Sequence, residues 1–325
     1  MTAPRTRRKR LFAIALVALA LSPGLFWRTP LPTEPTEAID IGRLKPGDLS
    51  RSVGAFTREG LWQLRSEHDL FGGFSALLLE GDSLRAFSDR GAILTVNLSG
   101  NTPDPDRLDL LGDRCRFEHF PPDIESATRD PATGRYWLGF ENGNTLLRYT
   151  SGGEHDGALR PRQWMRWPAN AGAEAMARLA DGRFIVLPEG SRTGLLHPSD
   201  PLFRRPAGTF AFSLPGDYAP TDLAVLPDGG LLVLMREAVL GVPPFTAALG
   251  IADPADAQTG SMEVQLLVDL DRLLPRENYE GLSLRQTENG QVEIWIISDD
   301  NLASFQRTLL ARLVYDPTHE KARGD

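Results

Sequence analysis

The stretch PTDLAVLPDGGLLVLMRE, residues 220–237, decides the fold. Leu223 to Leu226 is a short apolar run, Pro227-Asp228-Gly229 turns the chain, and Leu231 to Met235 is a second apolar run ending in polar Arg236-Glu237. Asp-Gly between two apolar runs marks a β-hairpin, because glycine accepts the positive φ of a tight reversal. Four more copies surround it. They open at Gly73-Phe74-Ser75-Ala76-Leu77, Asp123-Ile124-Glu125-Ser126-Ala127, Gly172-Ala173-Glu174-Ala175-Met176 and Asn278-Tyr279-Glu280-Gly281-Leu282. They turn at Glu80-Gly81-Asp82, Asp130 to Gly134, Ala180-Asp181-Gly182 and Glu288-Asn289-Gly290. Their second strands are Leu84 to Ser88, Tyr136 to Phe140, Phe184 to Leu187 and Val292 to Ser298.

Anchors at Ser75, Glu125, Glu174, Asp222 and Glu280 are 50, 49, 48 and 58 residues apart. A period near fifty with several strands per unit is the mark of a propeller blade. The expected fold is therefore all-β, a β-propeller of four-stranded blades. Outer strands are expected at Ala92 to Leu98, Thr145 to Thr150, Phe210 to Leu214 and Val264 to Leu270. Gly241 to Met262, with two adjacent prolines and little periodicity, reads as an insertion on one face. The last unit shows three strands, ending at Leu309 to Tyr315, and would leave an exposed edge. Gly60 to Ser66 is the natural N-terminal strand to close the ring. Five blades are counted; a sixth would have to come from Ile39 to Ser66, which is short for four strands.

Composition agrees. Thirty-one Gly and 25 Pro favour many turns and short strands over long helices. The single Cys115 excludes an intramolecular disulfide and a Cys-rich zinc site. The formal charge of −8, from 35 basic and 43 acidic residues, argues against nucleic acid as partner. That charge is uneven. The first thirty residues hold six basic side chains and no acid, leaving the rest at −14. Their basic cluster precedes the apolar run Leu11 to Leu21, the order of an export signal. If retained, residues 11–27 would form an N-terminal hydrophobic helix near the lower length limit for spanning a membrane. The expected organisation is a signal peptide or membrane anchor over 1–28, a linker over 29–38, the propeller over 39–318 and a tail over 319–325. The body is expected in the periplasm or another extracytoplasmic space, released or tethered to the inner membrane, and monomeric.

Gly72-Gly73-Phe74-Ser75 followed by Phe87-Ser88-Asp89-Arg90-Gly91 resembles the opening of the phytase-like family, also called esterase-like activity of phytase. The later copies keep the same order: Asp123-Ile124-Glu125, Ala173-Glu174-Ala175, Thr221-Asp222-Leu223, and Asn278-Tyr279-Glu280-Gly281 with Ser298-Asp299-Asp300-Asn301. The resemblance implies a β-propeller, often exported, with phosphoester or ester hydrolase activity. It also implies calcium ions held by carboxylates, and phosphates held by Lys and Arg. This chain has the carboxylates but no dense basic cluster, and has Ala76 and Ser126 where Gly is common. Those departures count against phytate itself more than against the fold.

Four of the five anchors are acidic: Glu125, Glu174, Asp222 and Glu280. First strands of blades line the central channel, so these carboxylates are expected to converge and to need a cation, protons or hydrogen bonds. Hard oxygen ligands suit Ca²⁺ or another divalent cation. The purely structural alternative is that each carboxylate accepts backbone N–H bonds and locks neighbouring blades. A second series ends the second strands: Asp89-Arg90, Glu141-Asn142, Glu189-Gly190, Arg236-Glu237 and Asp299-Asp300. The expected metal ligands are Glu125, Glu174, Asp222, Glu280 and Asp300. Glu174, Glu280 and Asp299 are the catalytic candidates. Arg90, Arg192 and Arg236 are the clamps for a small anionic substrate, since Arg binds such groups bidentately.

Other chemistries fit poorly. Gly73 to Leu77 and Gly281 to Arg285 both lack the final Gly of a serine-esterase elbow. The five histidines form no His-x-x-x-His pair, and Asp104-Pro105-Asp106 lacks the Gly and terminal Glu of an EF-hand loop. Trp164 and Trp167 read as blade packing more than as a sugar platform. The leading expectation is an exported, metal-assisted hydrolase of phosphoesters or related esters. Its rival is a non-catalytic envelope propeller that binds a glycan, lipid head group or protein. A lactonase-type or dehydrogenase propeller would need the same axial acids, but no cofactor motif supports it.

Overall fold

The computed structural model describes residues 38–112, 122–141, 143–167 and 172–321. The leader, its apolar segment, most of the linker and Cys115 lie outside the described residues. No helix among the described residues is long and apolar enough to cross a membrane.

The chain enters through β1 (Asp40–Arg43), β2 (Ser52–Val53) and β3 (Phe56–Arg65). Blade I then comprises β4 (Phe74–Glu80), β5 (Ser83–Ser88), β6 (Ala92–Asn97) and β7 (Asp104–Leu110). Blade II comprises β8 (Ile124–Arg129), β9 (Tyr136–Phe140), β10 (Thr145–Tyr149) and β11 (His155–Leu159). Blade III comprises β12 (Ala175–Arg178), β13 (Phe184–Leu187), β14 (Thr193–His197) and β15 (Gly208–Ser213). Blade IV holds β16 (Ala219–Val225), β17 (Leu231–Ala238), β18 (Phe245–Ala252) and, after β19 (Ser261–Glu263), β20 (Gln265–Asp269). Blade V holds β21 (Asn278–Gln286), β22 (Val292–Asp299) and β23 (Leu309–Tyr315). Two short α-helices, α1 (Asp256–Thr259) and α2 (Pro317–Lys321), and three 3-10 turns at Trp164–Arg166, Pro201–Phe203 and Leu270–Arg272 lie between or after the strands.

The five innermost strands form a closed circuit: β4 touches β8, β8 touches β12, β12 touches β16, β16 touches β21, and β21 returns to β4. The ring is shut by β3, which pairs antiparallel with β23 from Leu309↔Gln63 to Tyr315↔Phe56 and supplies the missing fourth strand of blade V. Trp62 stacks on Trp295 at 5.8 Å and Phe56 on Tyr315 at 4.7 Å, so the seam is an aromatic joint. Because β1 and β2 also pair with β3, no sixth blade forms.

One expectation fails. Gly241 to Met262 is not an insertion: Phe245–Ala252 is the third strand of blade IV, in register with β17 from Leu231↔Ala252 to Ala238↔Phe245. Only the remainder departs from the blade plan, and β19 pairs parallel with β15 to extend blade III.

Burial follows position in the blade. Central β22 is buried at every residue, as a strand covered on both faces must be. Outermost β7, sequence DPDRLDL, is largely exposed, and Pro105 sits where a sheet edge tolerates a missing donor. Apolar clusters fill the space between neighbouring blades. On the face holding the first hairpin turns, arginines stitch blade to blade. Arg129 at the end of β8 donates to Glu80 at 2.7 Å and to the Leu79 carbonyl at 3.0 Å. Arg178 at the end of β12 pairs with Asp130 at 3.4 Å, and Arg285 in β21 donates to Asp82 at 3.0 Å.

Candidate metal centre

The opposite face, where second strands end, carries the acids. Its geometry begins with a β-bulge. In four blades the register between the first two strands slips by one residue, between Phe74 and Ala76, Ile124 and Ser126, Pro220 and Asp222, and Tyr279 and Gly281. The extra residues are Ser75, Glu125, Thr221 and Glu280. A bulge leaves its extra residue out of the ladder and re-aims its side chain. In blade III, Glu174 directly precedes β12.

This slip corrects the expectation for Asp222. The bulged residue of blade IV is Thr221, whose hydroxyl donates to the Tyr279 carbonyl at 3.2 Å. Asp222 lies one residue further, is fully buried, and accepts N–H bonds from Leu223 at 2.8 Å and from Leu282 of blade V at 2.7 Å. With both oxygens taken by backbone amides it locks two blades, which is the structural alternative for an axial acid.

The second-strand ends return to the same place. Asp299 lies opposite Asn278, Arg236 opposite Ala219, and the N–H groups of Asp89 and Glu141 bond the carbonyls of Gly73 and Asp123. Each partner stands two residues before a bulge. The two acidic series are therefore a single site. Asp89, Asp123 and Glu125 each offer a carboxylate oxygen, and these oxygens lie within 4.8 Å of one another. Asp89 accepts from the Ser75 hydroxyl at 2.9 Å. Gly72 and Gly73, at φ +100° and +66°, are needed here: a Cβ on Gly72 would meet an Asp300 oxygen at 2.7 Å, and one on Gly73 an Asp89 oxygen at 3.2 Å.

Eight carboxylates gather: Asp89, Asp123, Glu125 and Glu141, with Glu174, Glu189, Glu280 and Asp299 beyond them. Burial, then the Glu280 charge, pushes the Asp89 carboxyl up to about 8. Burial, then the Asp123 charge, raises Glu141 to about 7. Burial and like charge hold Glu125, Glu174 and Asp299 well above the usual carboxylate range. Asp89, Asp123 and Glu125 are half-buried residues and keep some surface open to solvent. Glu174 is 8% exposed and makes no hydrogen bond or ion pair among the described residues.

The other expected residues take varied places. Glu280 joins the cluster but is ion-paired to Arg236. Arg236 also donates to Asn278 at 2.6 Å and to Glu189 at 3.1 Å, so its guanidinium is engaged by protein and is not an open clamp. Asp299 accepts from the Asn301 N–H at 2.7 Å and faces Glu280 and Asp89. Asp300 is engaged by protein: its oxygens accept from the Gly73 and Leu302 amides at 3.1 and 3.0 Å and from the Thr308 hydroxyl at 2.9 Å, so it shapes the Gly73 turn. Arg90 donates to the Asp69 carbonyl. Arg192 lies outside the cluster, bonded to the Tyr218 carbonyl at 2.8 Å. Trp164 is fully buried and stacked on Trp167, a packing role. The expectation missed Asp89, Asp123, Glu141 and Glu189. For Asp89, Glu141 and Glu189 the signal was the strand-end series, in which every blade supplies a charged residue; Asp123 stood two residues before the Glu125 anchor.

Five closed blades around an axial cup of acids define a propeller with a carboxylate centre. The chain belongs to the phytase-like family, described as esterase-like activity of phytase, whose model matches residues 69–302. No curated protein matches the sequence. Among solved structures, glutaminyl cyclase of Myxococcus xanthus is 15% identical, with 75% of this chain and 92% of that one covered at a TM-score of 0.47. A protein of unknown function from Bacteroides thetaiotaomicron is 12% identical, covering 86% and 76% at a TM-score of 0.47. Likenesses this distant carry nothing about chemistry.

Proposed function

We propose that this protein is an exported, divalent-cation-dependent hydrolase of phosphoesters or related esters. One observation carries the reading: Asp89, Asp123 and Glu125 converge within 4.8 Å, ringed by further carboxylates. The donors are hard, anionic oxygens, which fit Ca²⁺ or a similar divalent ion and do not suit a soft metal. When bound, such an ion holds a phosphoryl or carboxyl oxygen and lowers the pKa of a water.

The chain's own groups do the rest. Asp89, Asp123 and Glu125 are the candidate ligands. Glu174, buried and without a hydrogen-bond partner among the described residues, is the candidate to accept a proton from water and return it to the departing alcohol oxygen. Glu280 has its charge matched by Arg236, which suits it to orienting and not to proton transfer. Because Arg90, Arg192 and Arg236 each bond protein groups, the anionic substrate is held chiefly through the cation. The basic, apolar leader supports placing the body outside the cytoplasm.

The test is an assay of phosphomonoester and carboxylester hydrolysis on the purified body, before and after chelation. Activity lost with the ion and restored by Ca²⁺ is the expected result. A protein that binds a divalent ion yet hydrolyses none of these esters would refute the hydrolase reading and favour a binding module.

A further inference from the structure

The acid cup is divided. On one side lies Arg236, the counter-charge of Glu189 and Glu280. Its guanidinium donates to Glu280, to Glu189 at 3.1 Å and to the Asn278 side-chain amide oxygen at 2.6 Å. The Asn278 amide in turn donates to Glu280 at 2.8 Å. The guanidinium also covers the Phe245 ring, 5.4 Å from its centre, which fixes its place from the blade IV side. On the other side, no Lys or Arg pairs with Asp89, Asp123 or Glu125 among the described residues. Glu174 interacts with both sides, since its charge also acts on Glu125. It feels Glu189, Glu141, Arg236 and Glu280, is nine-tenths buried, and has no hydrogen-bond partner among the described residues.

From this division we infer that Arg236 is a resident counter-ion that occupies the place of a second metal. It thereby limits the cup to one exchangeable divalent cation on the Asp89–Asp123–Glu125 side. The inference rests on the cation site proposed above and adds its stoichiometry and the residue that sets it. Electrostatics requires some such device. Carboxylates packed this closely in a largely buried cup repel strongly, and each needs a positive neighbour or a proton. A guanidinium with fixed planar donors satisfies two carboxylates and an amide oxygen at once, which a mobile ion would have to do by dehydration. Blade IV is the one blade whose strand end is basic where the other four are acidic, Asp89, Glu141, Glu189 and Asp299.

The experiment is Ca²⁺ titration by calorimetry, with metal analysis of the gel-filtered protein, on wild type, Arg236→Met and Arg236→Lys. Wild type and Arg236→Lys are expected to bind one Ca²⁺ per chain, and Arg236→Met two. If Arg236→Met is unfolded in chelator, Ca²⁺ should restore a cooperative thermal transition with two ions bound. A folded Arg236→Met that still binds one ion with unchanged affinity would overturn the inference. So would failure of that variant to fold at any Ca²⁺ concentration, or a wild type that binds two. If wild type binds none, the hydrolase reading fails by itself, while an ion gained by Arg236→Met still supports the role of the guanidinium.

Discussion

Removing the Asp222 carboxylate separates a blade lock from a metal ligand. Its two oxygens accept the Leu223 and Leu282 amides at 2.8 and 2.7 Å, and the residue is fully buried. Asp222→Ala leaves both amides without an acceptor in a place water does not reach. A buried unsatisfied donor costs about 1–3 kcal/mol, so the pair costs roughly 2–6 kcal/mol. Asp222→Asn keeps one acceptor oxygen and turns an NH₂ group against the other amide, for about half that loss. A domain somewhat under 300 residues loses about 2–4 °C of Tm per kcal/mol, so Asp222→Ala should melt roughly 5–20 °C lower. Thermal unfolding by circular dichroism measures this, and Ca²⁺ titration of the folded variant measures the site. A lower Tm with Ca²⁺ affinity within about twofold of wild type is expected. An unchanged Tm with Ca²⁺ affinity lost would refute it and restore Asp222 to the metal shell.

Three further outcomes follow from particular contacts. Unfolded carboxyls titrate near 4, whereas Asp89 is pushed up to about 8 and Glu141 to about 7, so between those limits the folded chain keeps protons that the unfolded chain releases. Stability of the metal-free protein should therefore fall as pH rises through that window, by an order of a few kcal/mol in urea titrations, and saturating Ca²⁺ should flatten the slope; stability that rises with pH would contradict the burial of these groups. Gly281→Ala puts a Cβ 2.7 Å from Ile297, 3.0 Å from Leu77 and 3.2 Å from the Ala76 backbone, and should cost about 1–3 kcal/mol, read as a lower urea midpoint. Arg192→Ala, whose guanidinium bonds the Tyr218 carbonyl and lies over Phe212, should leave Ca²⁺ affinity and hydrolysis unchanged in parallel assays.

The hairpins were legible because each Asp-Gly or Asn-Gly turn is a local steric requirement written in two residues. The closing strand was legible as an absence, since three strands ending at Tyr315 would have left an open edge. The bulge was not legible. Its one-residue slip shows only in the pairing of neighbouring strands, so Thr221-Asp222 lined up with Ala173-Glu174 and moved Asp222 onto the axis. β18 was hidden by Pro243-Pro244 before it and by Ala247-Ala248 within it, residues with little preference for strand. Asp89 and Glu141 were visible as strand-end charges. That they share one cup with Glu280 and Asp299 depends on closure of the ring, which brings together residues far apart in sequence.

The central claim is a cation held by Asp89, Asp123 and Glu125. The most direct measurement is Ca²⁺ titration of chelator-stripped protein at neutral pH, with proton release followed in parallel, on wild type and on Asp123→Asn. Wild type should bind one ion and release protons from the raised carboxyls as it does so. Asp123→Asn should lose at least about tenfold in affinity without a lower Tm, since a neutral amide replaces one anionic ligand. A wild type that takes up no Ca²⁺, Mg²⁺ or Mn²⁺ and releases no protons would contradict the account.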